Sequence, residues 1–379
     1  MNTERLKVLV NIYIGKYPEL IAGDHDVRHK WEAVADCVRT WDLNAADFGN
    51  MFEQATEGAN SIIEDGAVNP RAGILYLCNH GFSSEVRDAF SDLLVRDGSE
   101  VSEKQVKAQR FVDTINSLLT DQAPEEWQYR QKMRTAIRYL ALIHPEENYF
   151  FRASEATAFA GYTETEEEIG YDRSFSLQNY YRMCDDTAAY IGTREDLLKT
   201  VNKGLTQKAK QTGNSDLVGI DPEHHILVYD LISSAYQKDF YSEKAANRKS
   251  KISAVAQRKL GRTRERAHLL DVRETVVDEL NHVKSEQAQE KIPSLVDTHA
   301  SHQAYGEGTV TEQNGKYLTV AFPESTKIFA LPGAVVNGYL TFQSESVMET
   351  CRNMERSQTK RREVENKLNS VDVQLSMLE

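Results

Sequence analysis

The sequence predicts a mainly helical protein with one small β-barrel near its C-terminal end, an α+β chain of several folding units. Three observations point there. Apolar residues recur at helical spacing from Glu4 to about Ala209. Between His302 and Phe342 the pattern changes to short period-two segments punctuated by glycine. Ser346 to Glu379 then contains neither glycine nor proline. At 379 residues the chain is longer than one hydrophobic core usually supports, so two or three units are expected.

The first region, residues 1–242, is read as a helical array. Its apolar series are periodic, as in Phe111, Ile115, Leu118 and Leu119, or Met133, Ile137, Leu140 and Leu142. Helix starts are expected at Ser83 before Glu85, at Pro124 before Glu125 and Glu126, and at Asp221 before Pro222 and Glu223. A capping oxygen or a first-turn proline suits the unpaired amides at such places. Tyr149, Phe150 and Phe151, within Asn148 to Arg152, read as an isolated strand. The acidic stretch Thr163 to Arg173 reads as an exposed loop. A last apolar helix, His225 to Tyr236, closes the region.

From 243 to 291 charge dominates, giving a charged helical arm. The chain carries 45 Lys and Arg against 58 Asp and Glu, a net −13, yet Lys244 to Arg266 holds nine cations against Glu265 alone. That asymmetry argues against nucleic-acid coating by the whole surface and confines polyanion contact to this segment. On a helix Lys251, Arg258, Arg262 and Arg266 fall near one face and would follow a phosphate backbone. The competing reading is a solvated linker helix paired with acidic surface. Farther on, the narrow stripe Val272, Val276, Leu280 and Val283 needs a partner.

The β module spans 292–342. Its signals are Gly306, Gly308, Thr309 and Val310, then Asn314-Gly315, then Tyr317, Val320 and Phe322, with further strands at Lys327 to Ala330 and Gly338 to Phe342. Asn-Gly marks a hairpin because both residues accept the positive φ of a type I′ turn. His302, Tyr305, Gly306, Gly308, Val310, Val320, Phe322 and Lys327 together resemble the Tudor-like or SH3-like barrel at the C-terminus of UvrD/PcrA-type DNA helicases, over roughly a tenth of the chain. The resemblance implies a protein-interaction module without catalytic residues, and a partner in the transcription or DNA-repair machinery. The helicase motor itself is missing, since no G-x-x-x-x-G-K-[ST] phosphate loop occurs. The helical part resembles uncharacterised bacterial proteins with Phe- and Tyr-rich helical domains, from which no function follows.

The last segment, 343–379, reads as a coiled-coil helix. Val347, Met354, Arg361, Leu368 and Leu375 fall at a, and Thr350, Ser357, Val364, Val371 and Leu378 at d. Its partner is either a second copy, giving a homodimer, or the helix at Val272 to Lys284 folding back across the barrel.

Candidate chemistry is sparse. Arg138 and His144 match the R-x(4 to 6)-H pattern of HEPN-type ribonucleases, in which arginine would stabilise phosphate charge while histidine moves the proton. The plainer reading is an exposed arginine and a helix-terminal histidine favoured by the dipole. His224 and His225, adjacent on a helix, point about 100° apart and do not chelate one ion easily. His299 and His302 would share a face only on a helix, and no cysteine or carboxylate at ligand spacing joins them. Asp185 and Asp186 lie opposite an apolar face of Tyr181, Cys184, Ala188 and Ile191. Cys37, Cys78, Cys184 and Cys351 are each more than thirty residues from the next, which fits buried reduced thiols better than a zinc or disulfide framework. No metal or cofactor is expected. No run of about 18 apolar residues and no signal-peptide pattern occurs, so a cytoplasmic location is expected.

Overall fold

The computed structural model describes residues 1–23, 26–64, 68–96, 100–170, 174–242, 254–289 and 293–378. It divides into two compact units, Met1–Asp271 and Val272–Met377. No helix among the described residues is long and apolar enough to cross a membrane.

The first unit is an array of helices. In chain order they are α1 (Thr3–Leu20), α2 (His29–Thr40), α3 (Phe48–Thr56), α4 (Asn60–Ile63), α5 (Pro70–Leu77), α6 (Ser83–Leu94), α7 (Val101–Gln122), α8 (Met133–Ile143), α9 (Ala153–Thr163), α10 (Leu177–Gly192), α11 (Glu195–Thr212) and α12 (His225–Gln237). Two of them are enclosed on every side: α8 is buried from Arg134 to Ile143 and α12 from Ile226 to Ala235. Both are mostly apolar but enclose polar side chains as well, Arg134 and Arg138 on α8 and Asp230 on α12, whereas α7 buries only the stripe Ala108, Phe111, Val112, Ile115 and Leu119. Phe90 anchors the core, with ring centroids 4.8 Å from Phe111 and 5.2 Å from both Trp41 and Tyr139. Such tilted and edge-on pairs are the favoured aromatic geometry.

Local starts differ in detail from the sequence expectations. Ser83 does open α6, but its hydroxyl donates to the Cys78 carbonyl and caps nothing. Pro124 opens no α-helix: it lies in a turn ahead of a single 3-10 turn at Trp127–Tyr129, and the helix begins only at Met133. Asp221 does cap α12, from four residues upstream, its carboxylate accepting the amides of Ile226 (3.0 Å) and Leu227 (2.9 Å). His224 stands just before that helix with φ +66°.

Asn148 to Arg152 is not a strand. It has no ladder partner, and Tyr149, Phe150 and Phe151 are all buried, so the chain threads through the core instead of lying on a sheet. Its carbonyls are satisfied by side chains: Tyr180 Oη donates to Phe150, and Arg138 Nε to Phe151 at 3.0 Å. The acidic loop is also shorter than its composition suggests, because Thr163 is buried in the last turn of α9 and Ile169 is buried beyond it. Residues 171–173 lie outside the described residues. On α10 the expected face is buried at Tyr181, Cys184 and Ile191, and Asp185 accepts from Tyr149 Oη (2.9 Å). All four cysteines are buried and unbridged.

A long helix, α13 (Ala254–Gln289), carries the division between the units within it. The second unit continues with β1 (His299–His302), β2 (Gly306–Asn314), β3 (Tyr317–Ala321), β4 (Thr326–Ala330), the short α14 (Gly333–Val336), β5 (Leu340–Phe342) and the terminal α15 (Glu345–Ser376). The strands form one curled antiparallel half-barrel sheet in the order β4-β3-β2-β1-β5. The hairpin is where Asn-Gly placed it, but one residue out of register. Asn314 pairs with Tyr317, so the loop is Gly315-Lys316, and only Gly315 has positive φ (+57°). A positive φ confined to the first central residue suits a type II′ turn, not the I′ turn expected. An irregularity between Val310 and Glu312 bends β2 and adds curl.

The concave side of the sheet is the core of this unit. Ala300, Val310, Leu318, Val320, Leu340 and Phe342 face inward and are closed off by Leu295, Val335, Val347 and Cys351. In its second part α15 turns to a different neighbour. Val364, flanked by Leu368, packs on Val276 and Leu280 of α13, flanked by Val272. Arg273 Nε to Asp372 Oδ1 (2.6 Å), Lys367 Nζ to Glu279 Oε2 (3.6 Å) and Arg361 Nη1 to Gln287 Oε1 (3.2 Å) fix an antiparallel register within one chain. At the start of α15 it is Val347 and Cys351, four apart, that meet the sheet, and Thr350 is only half-buried.

Candidate functional site

The inward face of the sheet is sealed at one end and open at the other, and chemistry gathers at the open end. Opposed residues in an antiparallel ladder share a face, so the pairs His302 with Gly306, Val320 with Lys327 and Leu318 with Phe329 all point inward. His302 stacks on Tyr305 (centroids 4.5 Å) and lies 5.3 Å from Phe329. Phe322 closes the group at 5.4 Å from Tyr305 and 6.1 Å from Phe329. Lys327 Nζ sits 5.2 Å above the Tyr305 ring, an attraction of about 0.5–1 kcal/mol where water still reaches it. The His302 ring is held in place by the Ala304 amide, which donates to Nδ1 at 3.0 Å.

Backbone geometry permits this arrangement. A Cβ on Gly308 would lie 2.7 Å from Phe322 Cδ1 and 2.8 Å from the Ala321 carbonyl, so only glycine lets Phe322 lie flat across the ladder. Gly306 takes φ +76° where the chain turns from Tyr305 into β2. Tyr305 stays 40% exposed while Phe322 is buried, so the cluster offers one wet aromatic edge on a fixed apolar floor. It has no nucleophile paired with a base. It can hold an apolar or planar group against the rings, with Lys327 beside it.

His302, Tyr305, Gly306, Gly308, Phe322 and Lys327, scattered over 26 positions, are thus brought together by the fold. Phe329 completes the group and was not singled out from the sequence. The available signal was its spacing of two from Lys327, which puts both on one face of a strand.

The other candidates are dispersed. Arg138 is not the exposed arginine expected: it is 1% exposed, because Nε donates to the Phe151 carbonyl and Nη1 to the Ile63 carbonyl (3.2 Å) inside the core. His144 lies past the end of α8, where Arg96 Nη2 meets its Nδ1 at 2.8 Å. Six residues of helix also turn the two positions about 120° apart, so a shared phosphate site is not favoured. His299 and His302 lie in β1, where a spacing of three places them on opposite faces. Among the described residues no group of histidine, cysteine and carboxylate side chains could hold a metal ion. In the arm, Arg262 and Arg266 are exposed on α13 and Arg258 lies on the same helix, while Lys251 lies outside the described residues.

Comparison of the chain with protein-family models, with curated proteins and with solved structures finds no match.

Proposed function

We propose that the chain is a non-enzymatic adaptor that docks on a protein or nucleoprotein partner, through a Tudor-like barrel at 292–342 assisted by the basic arm. The observation that carries this reading is the half-exposed aromatic group of His302, Tyr305 and Phe329 over Phe322, beside Lys327. Aromatic side chains fixed on a rigid floor supply contact area at little entropic loss, and such residues dominate binding at interfaces. The strand order supports the barrel reading, because β5 returns beside β1 and the meander begins to close on itself. In this reading the helical domain (1–242) and the charged arm (243–291) hold and orient the module, and the resemblance to UvrD/PcrA-type helicases points to transcription or DNA-repair machinery as the partner.

The test is affinity capture with the full-length chain carrying Tyr305→Ala and Phe329→Ala, against a Tyr317→Ala control on the outward face. The paired change should remove proteins that both the unaltered chain and the control retain. An identical captured set for all three would end the docking proposal.

A further inference from the structure

A second surface of the C-terminal unit is cationic, and it is distinct from both the aromatic end of the sheet and the Lys244 to Arg266 segment. A cleft of about 630 Å³ opens between α13, α15 and the tip of the β2–β3 hairpin. Lys284, Gln287, Lys316, Arg361 and Arg362 line it, with Glu365 as its single acid. Arg361 is paired with Glu365 (2.8 Å), but among the described residues no ion pair involves Lys284, Lys316 or Arg362. Three cations from three separate elements therefore border one concavity without an ion-pair partner among the described residues, a concentration of positive charge that attracts anions.

Arg361 Nη1 also donates to Gln287 Oε1 at 3.2 Å, which ties α15 to α13 beside the cleft.

We propose that this cleft binds the phosphate backbone of duplex nucleic acid without reading sequence. A phosphodiester fits better than an acidic peptide because the lining is polar and cationic, with Met354 its one apolar side chain. Protein-binding surfaces bury aromatic and apolar cores and are depleted in lysine, whereas nucleic-acid interfaces are polar and strongly positive. No aromatic ring lines the cleft, so unpaired bases have nothing to stack on and a duplex is favoured over a single strand.

The experiment is fluorescence anisotropy of a short random-sequence DNA duplex with the full-length chain, titrated over salt. The unaltered chain should bind with a steep log–log salt dependence. Lys284→Gln, Lys316→Gln and Arg362→Gln together should weaken binding by about tenfold or more and flatten the slope by about 2 to 3, with the circular-dichroism melt unchanged. Three outcomes overturn the proposal: no binding or a salt-independent response by the unaltered chain, equal binding by the triple variant, or binding lost on Arg262→Gln with Arg266→Gln and not on the cleft changes. Labelled poly-glutamate bound as tightly as the duplex would also overturn it, in favour of an acidic protein partner.

Discussion

Individual side chains in this protein are held by partners far away in sequence, and their energetics can be stated. Lys30 Nζ lies 2.5 Å from Asp230 Oδ1, with Tyr13 Oη donating to the other carboxylate oxygen, and the pair is 8% and 0% exposed at its side chains. Burial opposes the lysine charge, but the Asp230 carboxylate and then the Tyr229 hydroxyl outweigh it and hold the ammonium above its ordinary value. A raised lysine contributes stability that is present below its unfolded pKa and lost as pH climbs through the folded one, so the lysine's share is lost in strong alkali. Lys30→Met should destabilise the helical unit by about 3–5 kcal/mol, because it strands a buried carboxylate. Adding Asp230→Leu should recover much of that in urea unfolding; no recovery would show that Asp230 matters for reasons other than the pair.

His29 and His144 act at the acid end. Burial depresses both; Lys30 adds to the effect at His29, and Arg96 and Lys104 add to it at His144, against the Asp26 carbonyl and Glu147 respectively. The unfolded chain therefore takes up protons at these positions before the folded one does. Stability should fall as pH drops through 6.5 and level off below the depressed folded values. His144→Gln should shrink that loss in melts across this range, and an unaltered pH profile would remove His144 as a cause. In the other unit, Gly308→Ala should cost about 1–3 kcal/mol, the usual penalty for an inserted methyl in a packed place, since its Cβ would collide with Phe322 and the Ala321 carbonyl.

At the scale of elements, the pairing of α13 with α15 answers the need visible in both sequences. Each alone has a stripe too narrow to bury, and together Val276, Leu280 and Val364 make a small apolar seam flanked by pairs of opposite charge. Leu280→Ala should cost about 2 kcal/mol, the low end for a buried leucine because the seam is short. The register is testable by chemistry: cysteines placed at Arg273 and Asp372 should be joined within one chain by a short bis-maleimide linker. A dimer as the main product would mean that the seam pairs two molecules. The β2–β3 hairpin shows how an element can be foreseen while its register is not. Asn314-Gly315 marked the turn, but the ladder from Thr309 with Ala321 to Asn314 with Tyr317, offset once near Thr311, set which two residues form it.

For the whole molecule, two separate hydrophobic cores, one among the helices and one inside the sheet, imply two cooperative units. Scanning calorimetry should resolve two transitions, with Gly308→Ala moving one of them. A single transition shifting as a whole would show that the cores melt together. The change from helical to period-two patterning after about residue 300, the stripes of α7 and α13, the apolar run of α12 and the unbroken terminal helix were legible in the sequence, because periodicity reports which face of a local backbone is apolar. So were His302, Tyr305, Gly306, Gly308, Phe322 and Lys327 as members of one module. Phe329, the hairpin register and the threading of Tyr149 to Phe151 were not legible. Each depends on which distant group arrives to accept a hydrogen bond or to cover a ring. Lys284 and Lys316, 32 residues apart, and Arg361 and Arg362 beyond them share a cleft only because a helix pair and a hairpin tip meet in space. Pattern along a chain determines what each segment must bury; only packing among segments decides which side chains end up facing one another across a surface.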